Sequence, residues 1–115
     1  MHEYSIVSSL LDRVQRESAA HPHAIVRSVH VRIGELAGVE LPLLRTAYAT
    51  FRERSVCVTA ELEIEPVAAR WECPRCQQAI APGAILRCAA CDRAAHLVAG
   101  GEIMLDRIEL ELPDV

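Results

Sequence analysis

Apolar residues near the start of the chain fall at Ile6, Val7, Leu10, Leu11 and Val14. Steps of three and four place them on one face of a helix, predicted from Tyr4 to about Ala19. Asp12, Arg13, Gln15, Arg16 and Glu17 fall mostly on the other face, and Pro22 ends the segment. A two-residue period follows: Val29, Val31 and Ile33 alternate with Ser28, His30 and Arg32 up to Gly34, which reads as a strand. After the connection GELAGVE, Pro42 suits the first turn of a second helix, where a missing N–H costs nothing. Leu44, Ala47, Tyr48 and Phe51 form its expected buried stripe. Ala60, Leu62 and Ile64 then alternate with Glu61, Glu63 and Glu65, a half-buried strand with an acidic outer face.

Periodicity fades after Pro66, and residues 70–100 read as a loop-rich insert. The last strand alternates Ile108, Leu110 and Leu112 with Arg107, Glu109 and Glu111. Ile103 and Leu105 are in the opposite phase, so a bulge or bend is expected near Asp106. The order is helix, strand, helix, strand, insert, strand. It predicts an α+β fold: a small three-stranded sheet with two helices on one face and a zinc-ribbon-like insert before the last strand. The expected division is residues 1–69 with 101–115 as the main domain and 70–100 as the second.

Composition narrows the chemistry. The 115 residues are 51% apolar and 24% charged. That is an ordinary globular balance. Tyr4, Tyr48, Phe51 and Trp71 are the only aromatic residues, so the core is aliphatic and a base-stacking platform is not expected. Every basic residue is arginine, which excludes a P-loop lysine, a Schiff-base lysine and a lysine general base. A net charge of −4 argues against a surface built to neutralise phosphates. No apolar run approaches the ~18 residues of a membrane span. The opening MHEYSIVSSLLDRV lacks a basic n-region, and Asp12 and Arg13 interrupt its apolar stretch. It therefore does not read as a secretory signal, and a cytoplasmic location is expected.

In such a compartment thiols stay reduced. Cys57 stands alone and reads as a small buried apolar side chain. The other cysteines form CPRC, Cys73 and Cys76, and CAAC, Cys88 and Cys91, with eleven residues between the pairs. Two facing C-x-x-C turns aim thiolates at one point and close a tetrahedron around Zn²⁺, leaving no open position; the site is structural. A thioredoxin-like redox pair needs one such motif, not two, and neither opens a convincing helix. Trp71 is expected beside the first turn. His96, five residues after Cys91, is either an exchanged ligand or a surface residue of the insert.

At the start of the chain, the Met1 amine, the His2 backbone nitrogen and the His2 imidazole Nδ1 can chelate a metal through two fused rings. Planar nitrogen donors favour Ni(II) or Cu(II) over zinc. The large penultimate His2 is expected to block removal of the initiator Met. Taken alone, a histidine at this position carries little information.

MHEYSIVSSLL, then RIGELAGVE, then CPRC and CAAC, and a closing GEIMLDRIEL resemble the HypA/HybF hydrogenase nickel-incorporation family nearly end to end. The resemblance implies a small metallochaperone rather than an enzyme, with Ni(II) at the N-terminus and structural Zn(II) in the insert. It implies delivery to the [NiFe]-hydrogenase large subunit with a HypB-type GTPase. Carried over by position, the nickel ligands are His2, the Met1 amine and the backbone at His2 and Glu3; the zinc ligands are Cys73, Cys76, Cys88 and Cys91. Glu40, in GVE, matches an acidic position near the nickel end, and reads equally as a carboxylate favoured by a helix N-terminus. CAAC lacks the proline that often follows its first cysteine in the family, and the intervening loop is at the short end; neither removes a ligand. The competing reading is a zinc-ribbon adaptor or nucleic-acid-binding module with no nickel role. Its motive is a mild excess of arginine in the insert: Arg70, Arg75, Arg87 and Arg93 against Glu72 and Asp92.

Overall fold

The structure is a computed structural model that describes residues 2–81, 83 and 85–113, with the backbone alone at His2. Helix α1 spans His2–Ser18, two residues earlier than its apolar period suggests. Its most buried positions are Glu3, Val7, Val14 and Ser18. They form one face at near-helical spacing, flanked by half-buried Ile6, Leu10 and Leu11. The helix packs on α2, Leu41–Phe51. There Pro42 occupies the first turn as expected, and Leu44, Ala47 and Tyr48 are buried. Phe51 departs from its predicted burial and is 43% exposed. It meets the exposed Tyr4 edge-on, with ring centroids 5.4 Å apart. The two rings thus shelter each other at the rim of the helix pair. A 3-10 turn, Arg52–Arg54, follows α2.

Strands β1, Ile25–Gly34, and β2, Glu61–Val67, form a three-stranded sheet with the last strand, β8, Ile103–Glu111, in the order β2-β1-β8. The central strand carries the core: Val26, Val29, Val31 and Ile33 are all buried. β2 keeps its alternation, with Leu62 and Ile64 half-buried and Glu61, Glu63 and Glu65 exposed. Arg27 meets Glu111, Ser28 and His30 meet Glu109, and the Gly34 N–H donates to the Glu102 carbonyl. The pairings run in opposite directions along the two strands, so β1 and β8 are antiparallel. In β8 the half-buried positions are Leu105, then Ile108 and Leu110. The phase changes across exposed Asp106 and Arg107, where the sequence predicts it, and the strand continues unbroken.

The chain divides into two compact units. One gathers residues 1–31, 39–65 and 104–115; the other gathers 32–38 and 66–103. The second is more regular than a loop-rich insert. Strand β3, Arg70–Glu72, lies between β4, Ala79–Ile80, and β7, His96–Ala99, while β5, Arg87–Cys88, pairs with β6, Arg93–Ala94. Trp71, two residues before Cys73, lies opposite Ile80 on one side and Leu97 on the other. Both ends of the 66–103 stretch return to Gly34–Leu36. The Glu35 N–H donates to the Val67 carbonyl at 2.8 Å, the Leu36 N–H to the Gly100 carbonyl at 2.7 Å, and the Ala69 N–H to Glu35 Oε1 at 2.8 Å. A side chain at Gly34 would overlap the Gly100 backbone, and one at Gly100, with φ +92°, would overlap Ala69. These two glycines are what allow three backbone segments to meet. No helix among the described residues is long and apolar enough to cross a membrane.

Candidate metal centre

Cys73 follows β3, and Cys88 ends β5; each opens a tight turn that returns the chain four residues on. The Gln77 N–H donates to the Cys73 carbonyl at 2.9 Å, and the Asp92 N–H donates to the Cys88 carbonyl at 2.8 Å. Gln77 and Asp92 occupy equivalent places after their pairs, and both are left-handed, with φ of 63° and 52°. Reversing direction this sharply at the same offset leaves the two cysteines of each pair on one side of the turn. The result is a cluster: the sulfur atoms of Cys73, Cys76, Cys88 and Cys91 all lie within 4.8 Å of one another. Cys76 Sγ and Cys88 Sγ are 3.7 Å apart. A tetrahedron with metal–sulfur bonds of about 2.3 Å has sulfur–sulfur edges of about 3.8 Å, so the spacing fits a tetrahedral thiolate site. All are free thiols.

The electrostatics also point to a cation. The Arg75 and Cys76 N–H groups approach Cys73 Sγ at 3.4 and 3.5 Å. The Cys76 N–H in particular pulls the Cys73 thiol down to about 6. Cys91 goes the other way, pushed up to about 12, first by its hydrogen bond with the Cys76 thiol and then by burial and the charge on Cys73. One thiolate forms readily; further ones at this spacing repel it unless a cation supplies compensating charge. Arg87 at the second turn is held by Asp92, its Nε 2.8 Å from Oδ1. That pair fixes the turn from outside the cluster.

His96 is an exposed residue of β7 opposite Glu72 and is not among the clustered donors. Cys57 is fully buried, as its isolation suggests, and burial pushes its thiol up. Its neighbour Tyr48 donates its hydroxyl to the Ala60 carbonyl at 2.8 Å.

Of the N-terminal donors, Met1 and the His2 side chain lie outside the described residues. The backbone of His2 and Glu3 forms the first turn of α1, where N–H groups have no acceptor within the helix. Glu3 is 5% exposed, and its Oε2 accepts the Glu40 N–H at 3.2 Å. That hydrogen bond is the main reason its carboxyl lies below the usual value of 4.5. Glu40 is the N-cap of α2, exposed and with no side-chain cap of its own. The structure therefore brings together Glu3 and Glu40, tying the start of α1 to the start of α2. This role of the Glu3 carboxylate escapes sequence analysis, although its spacing of four before Val7 puts it on the buried face of α1. The left-handed turn residues escape it too; their matching offsets after the two C-x-x-C pairs were the available signal.

A family model described as hydrogenase/urease nickel incorporation, metallochaperone, HypA, matches residues 1–110. The chain belongs to the HypA family. It is 36% identical to the hydrogenase maturation factor HypA of Wolinella succinogenes, over 99% of this chain and 98% of that one. It is 37% identical to the HypA of Shewanella halifaxensis, over 96% and 98% of the two chains. Among solved structures, a solution structure of a HypA protein aligns with a TM-score of 0.81 at 32% identity, covering 98% of both chains. The solution structure of the Ni metallochaperone HypA from Helicobacter pylori aligns with a TM-score of 0.68 at 33% identity, covering 96% of this chain and 98% of that one. HypA proteins are metallochaperones of hydrogenase maturation, which agrees with the α+β fold and the clustered thiols seen here.

Proposed function

We propose that this HypA chain carries Ni(II) at its N-terminus and passes it, in the cytoplasm and with a HypB-type GTPase, to the [NiFe]-hydrogenase large subunit. The observation that carries this is the family match over residues 1–110, a stretch that contains His2, Glu3, Glu40 and every cysteine of the two pairs. In this reading the nickel donors are the Met1 amine, the His2 imidazole and the backbone nitrogens of His2 and Glu3. Using first-turn nitrogens breaks no helical hydrogen bond, which supports a metal at this place. Glu40 lies at the same end of the helix pair through its hydrogen bond to Glu3, and its exposed carboxylate is available as a further oxygen ligand.

Cys73, Cys76, Cys88 and Cys91 hold structural Zn(II). Zinc there supplies the cross-link that a stretch of two- to four-residue strands lacks. The two metals are kept apart by donor softness: thiolates for zinc, terminal nitrogens for nickel. A carrier must also release its cargo. A terminal chelate can be dismantled one ligand at a time by an acceptor, whereas a closed four-thiolate cage cannot. The relatives named above are all HypA proteins, which gives no support to a nucleic-acid-binding or adaptor role.

Transfer tests this proposal. The nickel-loaded chain, mixed with the large-subunit precursor and a HypB-type GTPase in the presence of a chelator, should deliver nickel. His2→Ala should deliver no more than free Ni²⁺ does. Equal delivery by both chains would contradict it.

A further inference from the structure

The sheet β2-β1-β8 has two edges with different character. β2 carries Glu61, Glu63 and Glu65 on its exposed side and Pro66 within the strand. A row of like charges and a proline are common means by which an edge is kept from pairing with another chain. β8 lacks both. It is nine residues long, has no proline, and carries charges of both signs, Asp106, Arg107, Glu109 and Glu111. Within its sheet it is hydrogen-bonded to β1 alone. Near its ends, Met104 is 47% exposed and Leu112 just beyond the strand is 68% exposed. A long unpaired edge of this kind is a template for strand addition.

We propose that β8 is a homotypic docking edge: a second copy of this chain adds its own β8 antiparallel, about a two-fold axis through Ile108. A two-fold pairing of adjacent strands must be centred on one residue so that the faces match. Among registers centred within β8, this one alone opposes unlike charges in the strand without also opposing like ones. Centring on Asp106, Arg107, Glu109 or Glu111 sets that charge against itself. Centring on Leu110 opposes Glu109 to Glu111, and centring on Met104 opposes Asp106 to Glu102 just before the strand. Centring on Ile103 or Leu105 pairs no charges. At Ile108, Arg107 of each copy meets Glu109 of the other, Ile108 meets its own copy, and exposed Met104 meets exposed Leu112. Arg107 has only its neighbour Asp106, 4.0 Å away, as an ion-pair partner among the described residues. Glu109 uses one oxygen, Oε1, for both Ser28 and His30. The occupant is therefore a second copy because the edge is complementary in charge and apolar ends to itself. The pairing uses neither the thiol cluster nor the N-terminus.

Light scattering and sedimentation equilibrium of the full-length, metal-replete chain from micromolar to millimolar concentration test this. The expected result is reversible, concentration-dependent dimerisation. Arg107→Glu and Glu109→Arg should each weaken it roughly tenfold or more, because each turns both cross-strand ion pairs into like charges. Mixed one to one, the two variants should form a heterodimer, since the swapped side chains again meet opposite charges; that recovery also shows both are folded. A chain that stays monomeric throughout would overturn the proposal. So would a dimer that Arg107→Glu leaves unweakened, or variants that do not combine.

Discussion

Gln77 and Asp92 hold the left-handed backbone on which each C-x-x-C turn closes. An L-residue in that region costs about 1–2 kcal/mol, least for Asn and Asp, and most for β-branched side chains. Asp92 offsets its conformation by pairing with Arg87, whereas Gln77 has no such contact among the described residues. Gln77→Val should therefore destabilise the metal-loaded insert by about 1–2 kcal/mol, while Gln77→Asn is neutral or slightly stabilising. Thermal unfolding and the rate of metal loss to a chelator both read this difference. Indistinguishable Val and Asn variants would mean that the turn relaxes without its left-handed residue.

At the scale of elements, the antiparallel contact of β1 with β8 is fastened by Glu109, whose Oε1 accepts the Ser28 hydroxyl at 2.5 Å and lies 2.7 Å from His30 Nε2. These contacts, Ser28 first, hold the Glu109 carboxyl below its usual value of 4.5. A lowered folded-state value means that the stabilisation is present in full above the unfolded value. It disappears as pH falls through the folded one. Glu3 behaves in the same sense through the Glu40 N–H. Glu109→Gln should flatten the acid limb of the stability curve below about pH 5, with a smaller fall in Tm between neutrality and about pH 3 than the parent shows. An unchanged acid limb would assign that limb to other carboxylates. The same elements show what a sequence can reveal. Both helices and the three long strands were legible because each has an apolar face that repeats at its own period. The two- to four-residue strands around the thiol cluster were not. Too short to display a period, they are defined by cross-strand partners and by the cysteine turns. Phe51 was misplaced because its stripe position faces Tyr4 at the rim, a tertiary contact no local pattern encodes. The four clustered thiols were legible from spacing alone. The Glu3–Glu40 contact, between residues 37 apart, was not.

For the whole molecule, two metals at chemically different sites should be separable by mutation. Cys73→Ser removes one thiolate from a cluster that holds the 66–103 stretch together. Structural zinc in small modules contributes on the order of 10–16 kcal/mol of apparent binding free energy, so that variant should lose its zinc and the order of residues 70–100. The unit built on α1, α2 and the long strands has its own buried core and should keep its fold and much of its nickel affinity. Loss of nickel binding in a still-folded Cys73→Ser chain would move the nickel into the insert. The central claim, that the N-terminus itself holds nickel, is tested most directly by calorimetry with Ni²⁺ on the untagged chain, the chain extended by Gly-Ser before Met1, and His2→Ala. Extension displaces the amine and turns the nitrogen of Met1 into an ordinary amide; His2→Ala removes the imidazole. The untagged chain should bind. Its affinity should fall with pH as the imidazole, of unperturbed pKa ~6.5, and the α-amine, roughly 7.7–8.0, take up protons. Both altered chains should bind far more weakly; equal affinity for all three would contradict the account.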